Sequence, residues 1–507
     1  MSDAAIVPAP PGTNIHPDSE RPITLCLILA AFIATWFAFG VLTSGGKALH
    51  NDMTEAYVWG REFQLGYNQH PPFWAWIAGL WFMVFPRTDW PFVLLAVVNS
   101  AVGLIGAWRL IGLFARGWLR RAAMLLLLCT PFYTFKSYNF NANSIFLALW
   151  PWTYYFFIQS LENRRAAPSA LFGMMVGLCL LSKYYTIVLI LTCLLASFAH
   201  PDWRLYYRSA RPRVAVGIAA LLFLPHVVWA ALSHAPPVEY ALGITGLGLP
   251  LVIENSFAFL LEITAFHGVV IGIVLLSRRW KRAGAASVPA EDPVRGRFLT
   301  LLVFLPVMFT VLFGLVFELK IGGKMTIGIF PLVPLWLLLM LGAVDMRRCF
   351  KVAAFVCIAT SAGALLAAPG FTMYTFEHPG RDPAYLLPQK ELADVATRLW
   401  HTETNAPLRL VGGSKFIGNA VAFYSEDHPS AFVLLSFREA PWVTPALLHR
   451  EGLLAVCLHD DPDCIEIAEH LAEADTKRSV LSLQHEYLGA REAAVPIDVF
   501  ITPPHGS

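Results

Sequence analysis

Apolar runs long enough to cross a bilayer recur along this chain from Ile23 to Ala368, and nothing else in it restricts the fold as strongly. A hydrocarbon core about 30 Å thick takes roughly 20 helical residues at about 1.5 Å each. Runs of this kind fall near 23–45, 91–115, 122–136, 143–160, 168–182, 184–199, 213–233, 261–277, 298–317, 325–344 and 350–368. Only 14% of the 507 residues are charged and mean hydropathy is +0.56, against about a quarter charged in a soluble domain. Much of the surface must therefore face lipid. A net charge of +2 leaves no electrostatic footprint for nucleic acid.

Pro71–Phe85 is apolar and rich in Trp, yet it opens on two prolines and is short for a span. Charge asymmetry decides its place. If it does not span and the N-terminus is inside, the inner loops hold 18 Lys and Arg and the outer loops 7, the bias that membrane insertion imposes. Counting it as a span reverses the ratio. Eleven spans with additional interfacial helices result, and the C-terminus lies outside. The first 22 residues form a polar, Pro-rich cytoplasmic arm, residues 23–369 a transmembrane domain with a first outer loop at 46–90, and residues 370–507 an extracytoplasmic domain.

That last domain reads as alternating strand and helix. Leu408–Val411 leads through Gly412-Gly413 into a helix ending near Tyr424; Leu453–Leu458 leads into Pro462–Ala472; Ile497–Ile501 is a final strand. The order predicts a small α/β unit. Cys457 and Cys464 fall in this domain, where a disulfide can form if the compartment is oxidising. The remaining cysteines lie in or beside apolar runs and pack there as small hydrophobes.

Polar residues collect at the outer ends of the spans. Asp52 and Glu55, three apart, share a helix face that Asn51 can cap; a solvated acidic face on an interfacial helix is the plainer account of them. Tyr57, Trp59, Tyr67 and His70-Pro71-Pro72 follow. Lys136 and three asparagines, Asn143 the last, form a second polar loop. Lys183 stands between apolar stretches, where an ammonium either snorkels or binds an anion. Lys320 and Lys324 flank Gly322-Gly323, and His267 sits within the eighth run without metal-ligand spacing around it. Carboxylates and lysines on one face suit glycosyl transfer from a lipid phosphate. A carboxylate takes the proton of the attacking hydroxyl, and cations stabilise the departing phosphate.

Asp52, Trp59, Leu65-Gly66-Tyr67 and His70-Pro71-Pro72, with Gly177–Tyr184 and Leu224–Trp229, resemble motifs of membrane glycosyltransferases of the GT-C fold. The similarity is to the protein mannosyltransferase-like superfamily, glycosyltransferase family 39, and to the lipid A aminoarabinose transferases. It runs from about residue 23 to 345. The resemblance implies an inverting transfer from a polyprenyl-phosphate sugar to an envelope lipid, glycan or protein at the periplasmic face of a bacterial inner membrane. It assigns the base to Asp52, eighteen residues before His70, and donor-phosphate binding to Lys183; Lys320, Lys324 and His70 are further candidates for the donor phosphate. Tyr57, Tyr67, Asn143, Tyr184 and His267 complete the expected substrate-binding set. Met53, not Glu, follows Asp52, so Glu55 stays a second candidate for the base. Gln69 precedes His70 where some relatives place a metal ligand, and no cofactor is expected to be required. A transporter or flippase of lipid-linked sugars is the alternative; its usual internal repeat is not apparent.

Overall fold

The computed structural model describes residues 22–233, 239, 243, 245–278, 293–342, 344–378 and 383–505. The arm expected over 1–22 lies, apart from Pro22, outside the described residues. The chain opens with α1 (Pro22–Ser44), α2 (Asn51–Glu62), α3 (Phe73–Phe82), α4 (Asp89–Ile111), α5 (Gly117–Leu128) and α6 (Phe146–Glu162). It continues with α7 (Ala166–Leu180), α8 (Thr186–Ser197), α9 (Trp203–Tyr207), α10 (Arg211–Leu232), α11 (Leu249–Phe266) and α12 (Gly268–Leu276). The helical region ends with α13 (Pro293–Phe317), α14 (Val333–Met340) and α15 (Met346–Glu377).

Among the described residues six helices, α1, α4, α10, α11, α13 and α15, are long and apolar enough to cross a membrane. Several carry large apolar side chains on their open faces: Leu221 and Leu232 on α10, Phe257 on α11, Leu366 on α15. Water would penalise such faces, whereas lipid accepts them. The other expected spans appear as shorter helices. Pro131 turns the chain after α5. The run at 325–344 keeps only eight helical residues, behind a 3-10 turn at Gly323–Thr326 and among prolines and glycines. The run at 261–277 begins earlier than expected and is divided at His267 between α11 and α12.

The segment Pro71–Phe85 contributes only the ten residues of α3, about 15 Å and half of what a crossing needs. It folds back on α2 instead. A Cβ on Gly60 would lie 2.0 Å from the Ala75 carbonyl oxygen, and one on Gly79 would lie 2.2 Å from that of Gly60, so two glycines permit the backbones to touch. His50, not Asn51, caps α2, its Nδ1 accepting from the Asp52 N–H at 3.2 Å.

The helix before the C-terminal domain runs on to Glu377 with Pro369 inside it, past residue 368, where the last apolar run was expected to end. Beyond it come α16 (Pro383–Leu386), α17 (Gln389–Thr404), β1 (Leu410–Gly413), α18 (Lys415–Tyr424), β2 (Ser430–Val433), α19 (Pro445–Glu451) and β3 (Leu453–Leu458). Then follow α20 (Pro462–His470), β4 (Lys477–Leu483), β5 (Glu486–Tyr487), β6 (Ala490–Arg491) and β7 (Val495–Thr502). Five strands form one sheet in the order β2-β1-β3-β7-β4. β1 is parallel to both neighbours, and β7 is antiparallel to β3 and β4. Cys457 at the end of β3 is joined to Cys464 in α20 by a disulfide, with the Cα atoms 5.7 Å apart.

This domain docks on the α2–α3 hairpin. Phe423 packs among Tyr57, Phe82 and Phe92. The Tyr424 hydroxyl accepts from the Leu49 N–H at 2.9 Å and donates to Asp89 at 2.7 Å, while Lys390 pairs with the other Asp89 oxygen at 2.5 Å. Ser430 donates to Glu62 at 2.6 Å. The apolar cluster excludes water and the polar rim satisfies what it buries, so the hairpin is held from both sides.

Candidate active site

Three loops supply the site. The first is the start of α2, where the His50 cap holds Asp52 at the open end; its side chain is 39% exposed, enough to meet a substrate. The second is the turn before α6. There the Asn141 side-chain oxygen Oδ1 accepts from the backbone N–H groups of Asn143 and Ser144, each at 2.9 Å, and the Ser144 hydroxyl accepts from the Asn141 N–H at 2.9 Å. Asn99 of α4 reaches the Ser144 carbonyl at 2.7 Å and fixes the turn to the bundle. The third is the turn between α7 and α8, closed by Lys183 N–H to Cys179 O at 3.0 Å. Phe73 N–H donates to Leu181 O at 2.8 Å and ties that turn to the start of α3.

Across these loops runs one polar chain. The Asn141 amide donates to Asp52 at 3.1 Å. Lys183 Nζ donates to the side-chain oxygen of Asn143. The Asp52 carboxylate is close enough to act on the Lys183 ammonium electrostatically. A carboxylate and a cation thus stand on either side of two asparagines, one able to accept a proton and the other to hold an anion.

Beside Lys183, the Tyr184 hydroxyl donates to His226 Nε2 at 2.7 Å, and His226 Nδ1–H donates to Leu65 O at 2.7 Å. This couples α10 to the first loop. Gly66 permits it, because a Cβ there would come within 2.2 Å of the Trp229 ring and 2.8 Å of His226.

The remaining expected residues have other described surroundings. Glu55 is buried on α2. Tyr57 is buried against Phe82 and Phe423 in the docking surface. Tyr67 stacks on Trp59 with ring centroids 4.8 Å apart and donates to the Trp59 carbonyl, so its hydroxyl serves the loop. His70 packs edge-on to Trp59 and Trp74. His267 is buried between Phe132 and Phe330 and bonds Ile263 O at 2.7 Å. Lys320 is exposed and makes no hydrogen bond or ion pair to the Asp52–Lys183 group among the described residues. Lys324 lies in the 3-10 turn, with its side chain outside the described residues. Gly323, the second of the two glycines between them, is held by Glu262, which accepts from its N–H at 2.7 Å and pairs with Lys136 at 3.5 Å. Sequence reading missed Asn141 and His50 as site residues. The signal for Asn141 was its position two before Asn143 at a helix start, where an Asn side chain favours turn geometry.

A three-residue His and carboxylate cluster of metal-ligand dimensions occurs among the described residues at His449, Glu473 and His505, on the C-terminal domain. None is assembled at Asp52 among the described residues.

Residues 69–229 match the family described as dolichyl-phosphate-mannose-protein mannosyltransferase. The matched stretch starts just before His70-Pro71-Pro72 and takes in the Lys183 motif and Leu224–Trp229; Asp52 precedes it. It bears out the resemblance to the membrane glycosyltransferases of the protein mannosyltransferase-like superfamily. Two kinds of relative sharpen this. The chain is 26% identical over 283 residues to the lipopolysaccharide core galacturonosyltransferase RgtA of Rhizobium johnstonii, covering 52% of this chain and 54% of that protein. The chain thus matches about half the length of that curated relative. In fold it is similar to ArnT from Cupriavidus metallidurans. The TM-score is 0.60 to the structure bound to undecaprenyl phosphate, at 14% identity, and 0.61 to the apo structure, at 12% identity. Both alignments cover 94% of this chain and 98% of the other.

Proposed function

We propose that this chain is an inverting glycosyltransferase that moves a sugar from a polyprenyl-phosphate carrier to an envelope glycolipid or glycan at the periplasmic face. The observation that carries the reading is the polar chain Asp52–Asn141–Asn143–Lys183, which sets a base and a phosphate ligand at opposite ends of one site. In the transfer, Asp52 takes the proton of an acceptor hydroxyl as that oxygen attacks the anomeric carbon. The bond from that carbon to the phosphate oxygen breaks with its electron pair on the phosphate, and Lys183 stabilises the charge that appears there. Attack from the face opposite the leaving group inverts the anomeric centre.

The ArnT structure bound to undecaprenyl phosphate supports a carrier of that type. The RgtA relative supports a lipopolysaccharide core acceptor and makes a uronic acid the first sugar to test. The excess of Lys and Arg in alternate loops, 18 against 7, supports eleven spans in a bacterial inner membrane, with the N-terminus inside and the C-terminal domain in the periplasm. In a flippase Asp52 and Lys183 would have no reaction to perform.

The test is mass spectrometry of envelope lipids from cells with the wild-type protein and with Asp52→Asn. A glycan mass present in the first and absent in the second supports the reading. Identical lipid profiles, from cells in which both proteins accumulate equally, would overturn it.

A further inference from the structure

Between the membrane bundle and the C-terminal domain lies a cavity of about 250 Å³, bounded by the first outer loop, the end of α10 and residues 437–442. Its walls alternate in character. Trp229, Phe437 and Trp442 present aromatic rings, while Asn68, Arg438 and Glu439 present an amide, a guanidinium and a carboxylate. Asn68 donates to Glu439 across the seam, so the polar wall is built jointly by the two halves of the molecule. Trp442 is held in place by its indole N–H, which donates to Ala431 O at 3.0 Å.

We infer that this cavity is a subsite for a saccharide unit of the acceptor glycan. This rests on the reading of the chain as a glycosyltransferase. A pyranose offers ring faces of C–H groups, which aromatic side chains cover, and a rim of hydroxyls, which need donors and acceptors. Asn68 is bonded to Glu439 and Arg438 pairs with Glu239; a lipid tail would take these pairs out of water and use none of their remaining donors and acceptors. An inorganic phosphate would meet the Glu439 carboxylate and would make no use of the four aromatic residues, Tyr67 included. The volume suits one sugar ring and falls below the usual range for larger ligands, about 300–1,000 Å³.

Position separates this site from the seat of the transferred sugar. The anomeric carbon must lie between Asp52 and Lys183, and neither residue lines the cavity, nor does Asn141 or Asn143. The two places are joined through packed groups. Gly66 and Trp229 in the cavity wall abut His226, which bonds Tyr184 next to Lys183. A glycan seated on Trp442 and Trp229 therefore approaches the reacting centre from the C-terminal domain, and the domain acts as part of the acceptor site.

The experiment uses the full-length protein in detergent carrying Asp52→Asn, which binds without turnover. Core oligosaccharide released from bacterial lipopolysaccharide by mild acid is titrated and followed by saturation-transfer NMR. Binding is expected, and adding Trp442→Ala or Phe437→Ala should weaken it about tenfold. Phe437 is part-exposed at 39%, so its replacement keeps the fold if that of Trp442 does not. In the active protein the same variants should raise the acceptor KM about tenfold, leaving donor KM and kcat unchanged. No oligosaccharide binding, or equal binding in both variants, overturns the subsite. Transfer activity persisting in that case leaves the enzymatic reading intact. Binding lost in the variants, with no transfer by the wild-type protein, supports the subsite and overturns that reading instead.

Discussion

The side-chain amide of Asn141 donates to the Asp52 carboxylate at 3.1 Å while its carbonyl oxygen accepts from the Asn143 backbone at 2.9 Å. One asparagine therefore positions both the proposed base and the residue that receives Lys183. Its two ends are used at once, and neither can be replaced by an apolar side chain without loosening the other.

Asp52→Asn should lower transfer by about 10²–10⁴-fold, the usual contribution of a positioned general base, while the protein still elutes as a folded monodisperse species. Glu55 is buried one turn further along α2, and Glu55→Gln should keep activity within about tenfold of wild type. Turnover assays on the two purified variants check this. A fully active Asp52→Asn beside a dead Glu55→Gln moves the base to Glu55.

Asn141→Ala removes the hydrogen bond to Asp52 and the turn that presents Asn143. Misplacement of a base by about 1 Å costs on the order of 10²-fold, so kcat should fall by roughly that amount, with a smaller change in donor KM. A variant with unchanged kcat would show that Asp52 is positioned without Asn141.

Lys183→Ala should weaken donor binding about 10–100-fold, the range expected for a lost charge-assisted hydrogen bond. The check is the donor KM together with direct titration of a polyprenyl phosphate. Unaltered affinity for the phosphate would remove Lys183 from the donor site.

The C-terminal domain should be pH-sensitive where it meets the first outer loop, through His485, whose Nε2 reaches Gly46 O at 3.3 Å and whose Nδ1 lies 2.9 Å from Glu391 of its own domain. Burial pulls the His485 imidazole down, but its hydrogen bond and attraction to Glu391 prevail and hold it above 6.5. Burial likewise pushes Glu391 up, yet the bond to His485 leaves it below 4.5. The His485 contribution is complete below its unfolded value near 6.5 and is lost as pH rises through the raised folded value. The Glu391 contribution is present above about 4.5 and is lost as pH falls through the lowered folded value. The His485–Glu391 pair is thus strongest between about pH 4.5 and 6.5. Thermal unfolding of wild type and His485→Gln should differ most near pH 6, and the gap should shrink by about pH 9. A gap independent of pH would assign His485 a packing role only.

Much of the fold was legible because hydrophobic periods and breakers act locally. The expected runs correspond in order to helices, and β3 falls on Leu453–Leu458 as read. Four strands escaped, among them the two-residue β5 and β6. β2 has only four residues, and β4 is a largely exposed strand whose polar residues mask any alternation. The end of α15 was misplaced because polar residues return after about Gly370, while in the structure the helix continues to Glu377. At the site, the resemblance to the membrane glycosyltransferases marked Asp52 by its spacing from His70, and an ammonium between apolar stretches marked Lys183. Asn141 gave no comparable signal, since an asparagine in a polar loop looks solvated until its partner is known.

The chain by itself determined membrane character, the order of its helices and which polar residues fall at helix ends, because the cost of burying charge in hydrocarbon is set residue by residue. Only the tertiary structure decided which of those residues meet. Asp52 and Asn141 are 89 positions apart, Asn143 and Lys183 are 40 apart, and Leu49 reaches Tyr424 across 375. Such pairings depend on how helices pack and how closely glycines let them approach, and no local period encodes that.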